Sequence, residues 1–207
     1  MITPRSRFWT AILLLSAIWL AALLLGGRGS ELDLTLYRAL YLKAGTPVAR
    51  DAVIFTNIGG GIFLTILAMA AAAYLVMRRK RRAALMLIMV FGGRFLVELQ
   101  KLIIDRPRPD VSPHLVSVGS PAFPSGHTAN AMITYLAIAL LVPVAQRNRA
   151  IAVGIGLAFA LQVGISRIML GVHWPSDVVG GWAFGLLWVM TCMRLASARP
   201  DTAAKID

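Results

Sequence analysis

The sequence predicts an all-α fold, a bundle of six transmembrane helices with a short interfacial helix between the first two spans. Of its 207 residues, 58% are hydrophobic and only 14% are charged, which is more apolar than an ordinary soluble domain of this length. Several apolar stretches approach or exceed the ~18 to 20 residues that a helix needs to cross a hydrocarbon core of roughly 30 Å. One compact domain over residues 1–207 fits this pattern better than two.

The apolar runs define where the six spans are expected. They lie at about residues 8–26, 53–77, 83–104, 126–145, 150–170 and 177–195. The first run follows Arg5 and Arg7 and could instead be a signal peptide. Its length and the poor cleavage site at residues 26–28 favour a span.

Local features refine this pattern between and within the spans. Ser30 and Asp33 have the spacing of a capping box, and apolar residues follow them. Residues 30–42 are therefore predicted to form a short helix at the membrane interface. The glycine runs at residues 59–61 and 92–93 are more typical of close helix packing in membranes than of a ligand-binding loop.

Basic residues are distributed unevenly between the two sides that the spans define. If the N terminus is cytoplasmic, that side holds twelve of them: Arg5, Arg7, Arg78, Arg79, Lys80, Arg81, Arg82, Arg147, Arg149, Arg194, Arg199 and Lys205. The first loop on the other side holds Arg28, Arg38, Lys43 and Arg50, offset by Glu31, Asp33 and Asp51. The positive-inside rule then places both termini on the cytoplasmic side of a bacterial-type inner membrane. Residues 105–125 and 171–176 would face the periplasm or cell exterior.

The net charge of +12 also limits the choice of partner. The basic residues of the chain cluster at the ends of apolar runs, without the exposed aromatics that accompany a nucleic-acid surface. This placement predicts contact with the anionic head groups of a lipid bilayer and no nucleic-acid partner. The single cysteine, Cys192, excludes an intrachain disulfide.

Four charged residues follow one another along the third span. Arg94, Glu98, Lys101 and Asp105 are spaced four, three and four apart, so they share one face of a helix. Charge at membrane depth usually faces a bundle interior or a watery cavity. For Arg94 and Glu98 we favour a structural ion pair over a functional role.

Lys101 belongs to a pattern of three polar clusters in the outward loops. The clusters are Lys101 with Arg108-Pro109; Pro124-Ser125-Gly126-His127; and Ser166-Arg167 with Gly171, His173 and Asp177. They are distant in sequence but share one depth on one face of the membrane. A composite active site is expected to have this arrangement.

These residue types suit the cleavage of a phosphate ester. Lys101, Arg108 and Arg167 supply cations for the nonbridging oxygens, and arginine offers a planar fork of donors matched to phosphate. Ser125 and Gly126 begin a helix, where free backbone N–H groups and the helix dipole favour an anion.

The two histidines of these clusters suit different roles. His173 and Asp177 are four apart, so the carboxylate can hold one imidazole nitrogen and leave the other free to attack phosphorus. His127, on another helix, is left to protonate the departing oxygen. His114 is predicted to be an ordinary loop residue.

A metal site is the main alternative for these side chains. Two histidines and one aspartate could hold zinc, but three cations in the same place would repel it, and no further carboxylate pair is available. We expect neither a catalytic metal nor a cofactor.

Taken together, the motifs resemble the signature of the type 2 phosphatidic acid phosphatase family. That signature is a lysine followed after six residues by Arg-Pro, then Pro-Ser-Gly-His, then Ser-Arg with Gly, His and Asp at fixed spacing. All three parts are present, at residues 101–109, 124–127 and 166–177. The resemblance covers roughly residues 45–195.

The resemblance implies a helical bundle and metal-independent hydrolysis through a phosphohistidine. His173 would be the nucleophile, Asp177 its partner and His127 the acid. The phosphate would be held by Lys101, Arg108, Ser125, Gly126 and Arg167. The transmembrane pattern argues against the family's soluble acid phosphatases and vanadate-dependent haloperoxidases.

The motifs bear on the phosphate and leave the lipid open. An outward-facing site and small size favour undecaprenyl diphosphate, with phosphatidylglycerol phosphate, phosphatidic acid and lipid A phosphate as alternatives. A lipid phosphotransferase would use the same residues. A phospholipid binder or transporter without catalysis would be expected to lack His173, Asp177 or His127, and all three are present.

Overall fold

The structure is a computed structural model that describes residues 4–198, and within that range all regular structure is helical. The α-helices are α1 Pro4–Leu25, α2 Glu31–Leu40, α3 Pro47–Ile58, α4 Gly61–Val76, α5 Lys80–Leu87, α6 Gly93–Ile104, α7 Gly126–Leu141, α8 Gln146–Met169 and α9 Pro175–Ala198. A π-helical segment, Ile88–Gly92, joins α5 to α6. The predicted all-α class is confirmed.

Four helices are long and apolar enough to cross a membrane. They are Ser6–Leu25, Lys80–Ile104, Gln146–Met169 and Pro175–Ser197. A fifth span forms if α3 and α4, which are bent by 45°, are counted as one. The remaining apolar helix, α7, has only 16 residues. The chain is a multi-pass membrane protein, and its six spans stay a prediction.

The second predicted span, residues 53–77, is broken rather than continuous. The break lies at Gly59 and Gly60, and Gly59 packs so closely on α8 that an added Cβ would lie 2.2 Å from Val163 Cγ1. The Tyr135 hydroxyl donates to the Ile58 carbonyl at 2.8 Å, which satisfies a group that the helix end leaves free. The apolar run crosses this break without interruption, so hydropathy alone did not locate it.

The short helix α7 forms the centre of the bundle. It packs against α4, α6, α8 and α9, and ten of its residues are buried: Thr128, Ala129, Ala131, Met132, Ile133, Thr134, Leu136, Ala137, Ala139 and Leu141. Being surrounded by other helices, it does not need the full length of a lipid-facing span. By contrast, α1 lies on the outside and packs on α9.

The π-helical segment fixes α6 against α9. The Trp188 indole N–H donates to the Met89 carbonyl at 2.8 Å, at a point where the wider turn disturbs the regular ladder. Added Cβ atoms at Gly92 and Gly93 would lie 3.1 and 2.9 Å from the Trp188 ring. Close packing, predicted for this glycine pair, is confirmed.

Helix α2 occupies most of the segment predicted to be an interfacial helix. Ser30 Oγ accepts from the Asp33 N–H at 3.2 Å, which is half of the predicted capping box. The Asp33 carboxylate does not return this bond, because it is engaged by residues outside the helix. The position of α2 at a membrane interface stays a prediction.

Two arginines of the basic side bond the end of α7. Arg149 Nη1 donates to the carbonyls of Ala139 and Leu140 at 2.8 Å each, and Arg82 Nη1 donates to Leu141 O at 3.2 Å. These contacts satisfy the free carbonyls at the end of α7. Of the twelve basic residues, Arg199 and Lys205 lie outside the described residues.

Candidate active site

The three polar clusters meet where four helix ends come together: the ends of α6 and α8 and the beginnings of α7 and α9. A cavity of about 240 Å³ opens there. Its lining includes Lys101, Arg108, Gly126, His127, Arg167 and His173. Ser125 and Asp177 are fully buried behind this wall. The convergence expected from the sequence is therefore present in the fold.

His173 is held at both ring nitrogens. Nδ1 lies 3.3 Å from Asp177 Oδ2, and Nε2 lies 3.1 Å from Arg108 Nη1. Because a guanidinium can only donate, Nε2 must be the acceptor and Nδ1 must carry the proton. This tautomer leaves the lone pair of Nε2 on the cavity side.

The surroundings of His173 oppose its protonation. Burial, followed by the cations Arg108, Arg167 and Lys101, holds the pKa of the imidazole well below its ordinary value of 6.5. Burial also lowers the pKa of Arg108, against the opposing effect of Asp177. These surroundings keep the ring neutral.

The three predicted cations surround the cavity from different elements. Arg108 is fixed by donating from Nε to Ser120 O at 2.8 Å and from Nη1 to Val172 O at 2.6 Å. Arg167 donates from Nη1 to Thr56 Oγ1 at 2.6 Å, and its buried Nε has no partner among the described residues. Lys101 donates to the Pro121 carbonyl. Each has donors left for an anion.

The beginning of α7 leaves its backbone donors free, as predicted. Ser125 is the N-cap, but its side chain accepts from Thr128 Oγ1 at 2.8 Å and caps no backbone N–H. A Cβ added at Gly126 would lie 3.4 Å from Lys101 Cε, an ordinary contact. The protein itself therefore has room for a side chain there, and that side chain would use space in the cavity.

His127 lines the cavity opposite the fixed His173. Its ring makes no hydrogen bond with the part of the chain that the structure describes. A ring free of protein partners can exchange a proton with a bound ligand.

Arg106 is a buried residue of the site that sequence reasoning missed. Nη1 donates to Asp177 Oδ1 at 2.9 Å, and the guanidinium lies 4.3 Å from the centre of the Phe123 ring. Nη2 donates to the carbonyls of Ala22 and Leu23 at 2.9 and 2.6 Å. The signal was present in the pattern Arg106-Pro107-Arg108, but spacing assigned only the second arginine a role.

Asp33 supports the same region from α2. Its carboxylate accepts from Ser176 N at 2.8 Å, from Ser176 Oγ at 2.5 Å and from Gly27 N at 2.6 Å. Ser176 also accepts from Arg106 Nη1 at 3.0 Å. These bonds connect the first loop to the beginning of α9, directly before Asp177.

The predicted row of charges on α6 is interrupted. Asp105 adopts the left-handed conformation, with φ of 44°, and ends the helix. Among the described residues no ion pair joins Arg94 to Glu98, so the structural pair that we favoured is wrong. Both residues line the cavity instead. His114 lies 2.7 Å from Pro109 O through Nε2, in keeping with an ordinary loop residue.

The donor set was also tested for a metal site. Over residues 4–198, no group of three or more His, Cys, Asp or Glu side chains is placed to hold a metal ion. The polar side chains that surround the cavity are mainly cationic and suit an anion.

Comparison with known proteins identifies the family. Residues 82–201 match the PAP2 superfamily, and this range contains all three clusters. The chain belongs to the PAP2 superfamily. The resemblance to the type 2 phosphatidic acid phosphatases is confirmed.

Relatives of this PAP2 protein are named for lipid phosphates. Phosphatidylglycerophosphatase B of Bacillus subtilis (strain 168) is 39% identical over 137 residues, which are 64% of this chain and 67% of that protein. Lipid A 1-phosphatase of Rhizobium etli is 37% identical over 106 residues, 47% of this chain and 42% of that protein. The match therefore spans less than half of the second relative. The chain is a lipid phosphatase of this superfamily.

The fold is also similar to that of two solved structures. The first transmembrane PAP2-type phosphatidylglycerolphosphate phosphatase from Bacillus subtilis has a TM-score of 0.77 and 29% identity, covering 98% of this chain and 100% of that one. Aquifex aeolicus LpxE has a TM-score of 0.63 and 25% identity, covering 80% of this chain and 97% of that one.

Proposed function

We propose that this PAP2 protein hydrolyses the terminal phosphate of a membrane lipid through a phosphohistidine on His173. The observation that carries the proposal is the state of that ring, with Nδ1 against Asp177 Oδ2 and Nε2 turned to the cationic cavity. A neutral imidazole aimed at a bound phosphate is what nucleophilic attack on phosphorus needs.

The reaction has two steps that use the same residues. In the first, His173 Nε2 forms a bond to phosphorus while the bond to the leaving oxygen breaks, and His127 donates a proton to that oxygen. Asp177 stabilises the positive imidazole ring. In the second, His127 takes a proton from a water that attacks phosphorus, and the bond from phosphorus to Nε2 breaks.

Charge that develops on the phosphoryl oxygens is met by the cationic wall. The side chains that donate from three sides are Lys101, Arg108 and Arg167, and the Gly126 N–H donates from the beginning of α7. The Ser125 N–H is bonded to the Asp177 carbonyl at 3.0 Å, so Ser125 contributes by placing that helix end. Arg108 bonds His173 Nε2 in the free protein, so it must turn from the ring to the phosphate as attack begins. These donors take the place that a metal ion occupies in other phosphatases.

Phosphatidylglycerol phosphate and lipid A phosphate are the substrates that the relatives' names favour. Undecaprenyl diphosphate, our first expectation from the sequence, receives no support from those names. The unequal distribution of basic residues still favours a site on the outer face of an inner membrane.

The proposal is tested by assaying purified protein against a panel of lipid phosphates. Free phosphate and phosphorylated acceptors are both measured, with His173→Ala as the inactive control. We expect phosphate release from at least one lipid, unchanged by chelators and inhibited by orthovanadate. Loss of activity with chelator and recovery with added zinc or magnesium would refute the mechanism, and transfer to an alcohol in place of water would identify a phosphotransferase.

The acid role of His127 is tested with two leaving groups. General acid catalysis supplies typically ~10²- to 10⁴-fold, and an acidic leaving group needs less of it. His127→Ala should therefore lose most activity with a lipid alcohol and less with a nitrophenyl ester. Equal losses with both substrates would count against the role.

A further inference from the structure

The cavity extends beyond the residues that the transfer uses. Besides the cationic wall it is lined by Arg94, Glu98 and Asn130, which have no role in either step. Its volume of about 240 Å³ exceeds what one phosphate group fills. The remaining space must accept another part of the substrate.

The leaving group points toward this second region. His127 can protonate the leaving oxygen only if that oxygen lies beside its ring, so the rest of the lipid must continue from there. Asn130 is three residues farther along α7, on the same face. Its buried Oδ1 accepts no hydrogen bond from the described residues. A buried acceptor without a donor is costly, and a hydroxyl of the leaving group would satisfy it.

Arg94 lies at the far end of the same region. It precedes Lys101 by seven residues on one helix, a separation of roughly 10 Å along the axis. Its Nη1 donates to Thr65 Oγ1 at 3.3 Å, and the guanidinium packs on Gly61, where a Cβ would be 3.0 Å from Nη2. No other hydrogen bond and no ion pair involves it among the described residues.

Among the described residues, then, no carboxylate pairs with Arg94, whose side chain is exposed at the cavity. It sits beside the beginning of α4, where Gly60 offers no side-chain cap and the helix dipole adds positive potential. An isolated cation at membrane depth is expensive unless it faces a watery cavity or an anion. Here both conditions are met if the ligand carries a second negative group.

We propose that Arg94 binds a second phosphate, one that belongs to the leaving group of the lipid substrate. This inference rests on the proposed function and specifies its substrate class. A separation of two helical turns suits two phosphates joined by a short carbon linker, as in phosphatidylglycerol phosphate. The two phosphates of a diphosphate share one oxygen and are too close. The one free hydroxyl of that linker is then placed to donate to Asn130 Oδ1 or to Glu98.

Steady-state kinetics with two lipids distinguish binding of the second phosphate by Arg94 from a contribution that is the same for every lipid. Arg94→Gln should lower kcat/KM for phosphatidylglycerol phosphate by about 10- to 100-fold, the effect of losing one hydrogen bond between charged groups. For phosphatidic acid, which has no second phosphate, kcat/KM should change less than about twofold. The control is Arg50→Gln, on the exposed face of α3. It should leave kcat/KM unchanged for both lipids.

Product binding gives an independent measurement. Short-chain phosphatidylglycerol retains the second phosphate, so calorimetry on the purified protein should show its affinity falling in Arg94→Gln, while diacylglycerol binding stays unchanged. Equal losses for both substrates, or unchanged phosphatidylglycerol affinity, would overturn the proposal. If the wild type turned over neither lipid, the proposed function would fail, and the binding experiment would still decide on Arg94.

Discussion

Arg106 Nη1 lies 2.9 Å from Asp177 Oδ1, so the carboxylate that orients His173 is held at both oxygens. The pair is buried, with side-chain exposures of 8% and 0%. The other oxygen of Asp177, Oδ2, also accepts from the Trp174 backbone N–H at 2.9 Å. Arg106 does not line the cavity, so in the proposed mechanism it would act through Asp177, as a positioning residue.

Substitution of Arg106 should therefore change turnover and leave substrate binding intact. Removing one partner of a buried ion pair costs roughly 3–5 kcal/mol, so Arg106→Lys, which keeps the charge, is the informative variant. We expect kcat to fall by up to about 100-fold through misplacement of the ring, with KM unchanged.

Arg28→Gln serves as the matched control for Arg106→Lys. It removes an exposed ion pair with Asp110 at 3.2 Å, and such pairs contribute about 0–1 kcal/mol. The control should retain full kcat. A higher KM with unchanged kcat in Arg106→Lys would show that Arg106 contacts substrate instead of positioning Asp177.

Stability should depend on pH through His173. The folded protein holds the pKa of this ring well below 6.5, whereas the unfolded chain takes up the proton near that value. The stabilisation is complete above about pH 6.5 and is lost as pH falls toward the folded pKa, by up to about 1.4 kcal/mol per unit.

The measurement is thermal unfolding of wild type and His173→Gln between about pH 7.5 and 5.5. We expect the wild-type Tm to fall more steeply on acidification, because the glutamine variant lacks the group that titrates on unfolding. His114 and His127 are common to both proteins, so the difference reports His173. Parallel curves would mean that the folded ring titrates normally.

Gly126 should be required for anion binding and not for the stability of the fold. Gly126→Ala places a methyl group at ordinary contact distance from Lys101, so we expect Tm to be unchanged or slightly raised. Inhibition by orthovanadate should weaken by about tenfold or more, as for loss of one hydrogen bond to a charged group.

Gly154→Ala is the control for Gly126, since a Cβ at Gly154 meets nothing within 4 Å. It should leave inhibition unchanged, and its Tm should be unchanged or slightly raised, as in Gly126→Ala. Unfolding of Gly126→Ala would show that the glycine has a packing role, against this account.

Topology is tested by labelling from outside the cell. In a Cys192→Ser background, single cysteines replace His114 and Lys80, both of which are exposed. A membrane-impermeant reagent on intact cells should label position 114 only, and position 80 should react after the cells are opened. Labelling of position 80 alone in intact cells would invert the orientation.

The sequence predicts the helices and the side chains that meet at the cavity because both depend on local patterns. Apolar runs define spans, and the three motifs place His173, His127 and the cations by spacing alone. The break at Gly59 was missed because the apolar run continues through it and hydropathy does not register a bend.

The supporting residues were missed because their partners lie far along the chain. Arg106 meets Asp177 across 71 positions, and Asp33 meets Ser176 across 143, so no local pattern connects them. The pair predicted between Arg94 and Glu98 fails because helical spacing permits a contact without requiring it. Which way a long charged side chain turns is decided by the cavity beside it.

The most direct test of the central claim is to trap the phosphorylated enzyme. Wild-type protein is mixed with a lipid labelled in its terminal phosphate, quenched in base within one turnover and mapped by mass spectrometry. The account predicts phosphate on the imidazole of His173, and none in His173→Ala, because the other histidine at the cavity, His127, is assigned to proton transfer. A phosphorylated enzyme recovered from His173→Ala would contradict it.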